Sequence, residues 1–139
     1  MFKPGDVINI KTSDGYLLAN QLGTLVIVPE GSTPEAFILW EVQFNNNQGY
    51  SFYNNAYFIN GITEKNRVEL TKDNGLTGTW WAPVETSTID KYNGKIVMVC
   101  LGNLPGSRYL NANGANGILT LVPQYIDDPD ATFTFHILR

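Results

Sequence analysis

The sequence predicts an all-β domain built from three copies of one four-strand unit, on three observations. Short runs rich in Val, Ile, Tyr, Phe, Trp and Thr alternate with turn clusters at intervals of about 8 to 12 residues. No long segment carries the apolar 3.6-residue period of an amphipathic helix. The chain also resembles itself: YLLAN, YFING and YLNAN recur at Tyr16, Tyr57 and Tyr109, each followed by a turn and an apolar strand, TLVIVPE, RVELTKD or ILTLVPQ.

The first unit, residues 5–46, opens on VINIK (7–11), where apolar and polar residues alternate after a Pro-Gly turn. YLLAN (16–20) follows the Asp14-Gly15 pair, a strong hairpin-turn signal, and leads to TLVIVP (24–29) and FILWEVQF (37–44). The second unit, residues 47–92, supplies YSFYN (50–54), YFIN (57–60), RVELT (67–71) and GTWWAPVE (78–85). The third, residues 93–139, supplies KIVMVCL (95–101), RYLNA (108–112), ILTLVP (118–123) and TFTFHIL (132–138). PEAFILWEV (34–42) lies over PDATFTFHI (129–137), which pairs Pro34 with Pro129, Glu35 with Asp130 and Trp40 with Phe135. The middle unit has the shorter NGLTGTWWAPV at this place.

Three units of four strands match a β-trefoil, a six-stranded barrel capped by three hairpins, whose closure removes most free sheet edges. Over essentially its whole length the chain resembles the β-trefoil superfamily, most of all the ricin-B-like lectins and related small fungal trefoil proteins. Their Gln-x-Trp motif in the last strand of a unit is matched here by Ile38-Leu39-Trp40, Gly78-Thr79-Trp80 and Phe133-Thr134-Phe135. The aromatic residue is kept or replaced by Phe, and the Gln, which supports the sugar pocket in such lectins, is missing throughout.

With 139 residues, one domain can bury a core without disulfides or metals. A net charge of -4 with 16% charged residues repels phosphate backbones and anionic lipid, so neither nucleic acid nor membrane insertion is expected. No apolar run reaches the roughly 18 residues of a membrane span. MFKPGDVINI lacks a signal-peptide core, and no Asn-x-Ser/Thr acceptor occurs, so the expected location is cytoplasmic, or exported without a signal peptide.

Catalysis finds little footing. His136 sits between Phe135 and Ile137 on the outward face of its strand, and Cys100 lies in the apolar IVMVCL as a small buried hydrophobe. One His and one Cys make no zinc site, and no nucleophile, base and acid stand at recognisable spacing. Asp127, Asp128 and Asp130 read as a solvated turn rather than a calcium loop. The expectation is a protein with no enzymatic activity, metal or cofactor.

Candidate binding residues come from aromatics and amides. Trp80 and Trp81 point to opposite faces of one strand, and the alternation Trp80, Ala82, Val84 assigns Trp80 to the core and leaves Trp81 outside. There Trp81 would either offer its ring to a sugar or pack under a loop. Uncharged amides both donate and accept, which suits sugar hydroxyls, and they crowd the turns at Asn20, Gln21, Asn54, Asn60, Asn103, Asn111, Asn113 and Asn116; each can also close a turn unaided. The resemblance implies a carboxylate early in a unit that accepts from two sugar hydroxyls, a place Asp14 occupies. LGNLPGSR, between the first two strands of the third unit, is a candidate recognition loop containing Asn103 and Arg108.

The leading expectation is a lectin, binding glycans through shallow metal-independent sites, with avidity gained if the chain forms a homodimer. The alternative is a trefoil-type protease inhibitor acting through LGNLPGSRY or KDNGLTG, and the third is a fascin-like protein-interaction module.

Overall fold

The computed structural model describes residues 3–12, 15–19, 25–29, 31, 38–45, 49–62, 65–85, 96–101, 108–111, 119–122 and 133–138. Twelve strands follow one another: β1 (Val7–Thr12), β2 (Gly15–Ala19), β3 (Leu25–Val28), β4 (Trp40–Asn45), β5 (Gly49–Asn54), β6 (Tyr57–Ile62), β7 (Arg67–Thr71), β8 (Trp81–Glu85), β9 (Ile96–Cys100), β10 (Arg108–Asn111), β11 (Thr120–Val122) and β12 (Thr134–Leu138). Each falls on a run expected from sequence. Among the described residues, no helix is long and apolar enough to cross a membrane.

The antiparallel ladder β12–β1–β4–β5–β8–β9 forms the wall, and β2–β3, β6–β7 and β10–β11 are the capping hairpins. This is a β-trefoil. Sheet register is set by which residues face inward, because a one-residue slip exchanges the two faces. In β1, Ile8, Ile10 and Thr12 face in while Val7, Asn9 and Lys11 face out. β1 also joins the two ends of the fold, through five residue pairs with β12 from Val7↔Leu138 to Lys11↔Thr134.

The pairings identify which residues of the three units are equivalent. Leu17↔Ile27, Ile59↔Leu70 and Leu110↔Leu121 occupy one position in the three hairpins. Where β4, β8 and β12 pair with the next unit, Val42↔Phe52, Pro83↔Met98 and Phe135↔Ile10 are likewise equivalent. The residues two places before Val42, Pro83 and Phe135 are therefore Trp40, Trp81 and Phe133, all three without solvent exposure. Both indoles donate Nε1–H to a hairpin carbonyl, Trp40 to Leu17 O at 3.2 Å and Trp81 to Ile59 O at 3.0 Å. A polar N–H is thus carried into the core with its partner supplied by the cap.

Three expectations are corrected by this register. Trp81, not Trp80, is the core residue, and Trp80 is half-buried. Gly78 and Thr79 belong to a short 3-10 turn at Thr77–Thr79 rather than a strand, so alternation starts at Trp81 and Trp80 acts as the cap of that turn. Phe133 rather than Phe135 matches Trp40, and the motif positions become Thr79-Trp80-Trp81 and Ala131-Thr132-Phe133, again without Gln. In the second hairpin Phe58, not Tyr57, matches Tyr16 and Tyr109, because Ile59 is the residue that faces the core. Asn55 and Ala56, at φ 45° and 76°, make the turn that places Tyr57 outside that register.

Gly61 and Gly78 let the second cap approach the wall. A Cβ on Gly61 would stand 2.6 Å from Cys100 Sγ and 3.3 Å from Trp81 Cη2, and one on Gly78 would collide with the Gly61 carbonyl. Cys100 is buried, with Sγ 3.7 Å from Gly78 O, as the sequence implies for a small interior hydrophobe.

Candidate functional site

Residues of β1 and β12, with Tyr16 of β2, border an open surface pocket of about 500 Å³. It is lined by Asn9, Lys11, Tyr16, Thr134, Phe135, His136 and Leu138. That volume suits a small molecule rather than a flat protein contact. The register builds it directly: Lys11 is opposite both Thr134 and Tyr16, and Asn9 is opposite His136. Residues two apart on a strand share a face about 7 Å apart, so a Lys-Thr pair and an Asn-His pair follow one another along the wall.

Each lining group brings a distinct capacity. The Lys11 ammonium sits 5.8 Å from the Tyr16 ring centroid, a cation-π contact that holds the charge beside an aromatic face. Asn9 Oδ1 is buried and has no hydrogen-bond partner in the protein. A buried acceptor without a donor is costly, and this one is sealed from solvent, out of reach of a ligand hydroxyl. His136 is exposed at the mouth, as expected for the outward face of β12. The lining combines polar side chains with an aromatic ring, and among the lining residues there is no carboxylate.

The binding residues expected from sequence lie elsewhere. Trp81 is wholly buried, so its ring cannot stack on a ligand. Asn54, Asn60 and Asn111 are also interior, at 6%, 8% and 6% exposure. The Asn54 amide donates to Leu39 O at 2.6 Å, tying the end of β5 to the chain entering β4, which is a framework role. Asn60 and Asn111 occupy equivalent places, each next to the inward residue of its hairpin, Ile59 or Leu110. Arg108 opens β10 half-buried, opposite Cys100. Asp14, Asn20, Gln21, Asn103, Asn113 and Asn116 lie outside the described residues, as do Asp127, Asp128 and Asp130. Among the described residues, no group of three or more His, Cys, Asp or Glu side chains is placed to hold a metal.

Sequence reasoning missed Asn9, Lys11, Tyr16 and Thr134, and set His136 aside as a surface residue. Their signal is the polar half of the alternation in the first and last strands. It becomes a site only once β1 and β12 are known to be neighbours.

No known protein-family profile matches the chain, and no curated protein sequence matches it. Solved structures do. SeviL bound to an asialo-GM1 saccharide superposes with a TM-score of 0.71 at 16% identity, over 95% of this chain and 97% of that chain. The Macrolepiota procera ricin B-like lectin in complex with lactose gives a TM-score of 0.73 at 9% identity, over 97% of both chains. The designed threefold-symmetric protein ThreeFoil gives 0.73 at 10% identity, over 93% of this chain and 96% of that chain. By strand order, equivalent core positions and these superpositions, the chain is a β-trefoil protein with the fold of the ricin B-like lectins.

Proposed function

We propose that the protein is a lectin that binds glycans through metal-independent sites, without catalysis. The observation that carries this reading is the pocket across β12, β1 and β2, which is lined by Thr134, His136 and Asn9 and by the Tyr16 ring. Hydroxyl-rich rings need this combination of donors, acceptors and an apolar face. Support comes from full-length superposition on two proteins solved with bound saccharides. Asp14, Asn20, Gln21, Asn103, Asn113 and Asn116 are the loop contacts proposed from sequence, and a homodimer would present paired sites for clustered glycans.

A glycan array with wild type and Thr134→Val tests the proposal. Saccharide binding by the wild type that falls at least fivefold in Thr134→Val, with an unchanged melting temperature, is expected. An array blank at high protein concentration would remove the reading.

Protease inhibition retains one specific observation, the conformation of the KDNGLTG loop. Asp73 Oδ1 accepts from Gly75 N at 2.9 Å, and Thr79 Oγ1 donates to Leu76 O at 2.7 Å, holding Leu76 on extended backbone at φ -74° and ψ 136°. Leu76 is 42% exposed. Loss of protease activity on titration with wild type but not with Leu76→Asp would favour inhibition over sugar binding.

A further inference from the structure

The chain entering the 3-10 turn at Thr77–Thr79 carries an Asn-Gly pair, Asn74-Gly75, with both residues exposed. In such a pair the main-chain nitrogen of the glycine can attack the preceding side-chain amide, because the missing Cβ leaves it unobstructed. The bond from Gly75 N to Asn74 Cγ forms and the Cγ–Nδ2 bond breaks. The proton from the glycine nitrogen leaves with the departing amide as ammonia. Water then opens the cyclic imide at either of its carbonyls, giving aspartate or isoaspartate. The reaction consumes nothing but water. From the structure it needs an accessible amide and a glycine N–H that can give up its proton.

The fold holds a second copy of the dipeptide that meets neither condition. Asn60-Gly61 lies inside β6, where Asn60 is 8% exposed and the two residues pair with Glu69 and Val68 of β7. Gly61 is buried against Cys100 and Trp81. Asn93-Gly94, Asn113-Gly114 and Asn116-Gly117 lie outside the described residues.

Around Asn74 the local geometry controls the second condition. Gly75 N donates to Asp73 Oδ1 at 2.9 Å. Removing that proton would set a nitrogen anion against a carboxylate, which like-charge repulsion disfavours. Asp73 N in turn donates to Thr71 Oγ1 at 3.2 Å, and the Asn74 carbonyl accepts from Thr79 Oγ1 at 3.2 Å. Thr79 is wholly buried, so the loop is pinned on both sides of the reacting pair. A Cβ on Gly75 would stand 3.1 Å from Asp73 Oδ1. The absent side chain that lets this turn close therefore also leaves the nitrogen open to reaction whenever the turn opens, and exposed loops open at lower free energy than core strands.

We infer that Asn74 is a site of spontaneous deamidation, gated by the Asp73–Gly75 hydrogen bond. Conversion adds one negative charge beside Asp73, on a chain whose net charge is already -4. Isoaspartate also routes the main chain through the former side chain and adds a methylene to the segment that Thr79 holds. Its hydroxyl contacts with Asn74 O and Leu76 O then no longer fit together, and Leu76 loses its fixed presentation. The loop thus has an initial form that displays Leu76 rigidly and an aged form that releases it, whichever partner the protein binds.

The test is incubation of the full chain at mildly alkaline pH, folded and in guanidinium, as wild type and Asp73→Ala. Peptide mapping by mass spectrometry follows each Asn-Gly pair, and enzymatic methylation reports isoaspartate. Folded wild type is expected to convert at Asn74 and not at Asn60, with isoaspartate among the products, and unfolding should bring the two sites to similar rates. Asp73→Ala should convert Asn74 about fivefold faster than wild type, the scale of one lost hydrogen bond to a charged group at an exposed site. Asp73 is exposed, so this variant leaves the core untouched, and the comparison of Asn74 with Asn60 needs no variant at all. Asn74 that stays intact in the folded chain while the unfolded chain converts overturns the site. An unchanged or slower rate in Asp73→Ala overturns the gate. Conversion of Asn60 as fast as Asn74 in the folded chain overturns the proposal as a whole, since exposure would then not decide reactivity.

Discussion

Trp81 is where chemistry and position diverge most. A tryptophan on a Trp-Trp strand invites a role at the surface, yet its indole N–H is committed to Ile59 O and its ring is fully enclosed. Trp81→Ala is expected to lose about 3–5 kcal/mol in denaturant unfolding, through lost burial and the cavity left behind. Trp81→Phe reproduces the third unit's Phe133 and should lose about 1–3 kcal/mol, from the smaller ring and an unpaired Ile59 carbonyl. The identity of the core aromatic was therefore legible, but not which of two neighbours filled it. A dipeptide on a strand always places one residue inward, and the 3-10 turn that decides which one has no apolar period to announce it.

At the scale of elements, the second cap depends on two missing side chains. Gly78→Ala puts a methyl group against the Gly61 carbonyl and should destabilise by about 1–3 kcal/mol, an overpacking cost that a larger side chain would raise. Asn54→Ala removes the amide bridge from β5 to Leu39 O and should cost about 1–3 kcal/mol, while Asn54→Asp, which cannot donate there, should cost no less. Thermal melts of the three variants check both expectations. The strands themselves were legible because alternation and turn chemistry specify them locally. The buried amides were not, since Asn in a turn-rich sequence looks the same whether its side chain meets solvent or caps a neighbouring strand.

Across the whole molecule, symmetry separates what the fold requires from what it permits. Inward positions repeat in kind: Leu17, Ile59 and Leu110 in the caps, and Trp40, Trp81 and Phe133 below them. Outward positions where one unit pairs with the next diverge to Lys11, Tyr53 and Val99. The three-unit plan was readable from sequence because self-similarity survives in the inward residues. The cavity was not, because its walls lie at opposite ends of the chain and no local window contains both. Putting the second unit's residue into the first tests this division: Lys11→Tyr should leave the melting temperature within a few degrees of wild type.

The β1–β12 pairing has a kinetic consequence. It is the contact of greatest sequence separation in the wall, and forming it closes the longest loop, a step whose entropy is lost before later contacts reward it. A saccharide bound in the pocket that β1 and β12 line would be a clasp across that closure, present only when the two strands are paired. At a hundredfold excess over Kd it would add about 2.7 kcal/mol to the closed state. Hydrogen exchange at the amides of β1 and β12 should then slow together on ligand addition, so that occupancy of the cavity can be read as the rate at which the two ends of the protein part.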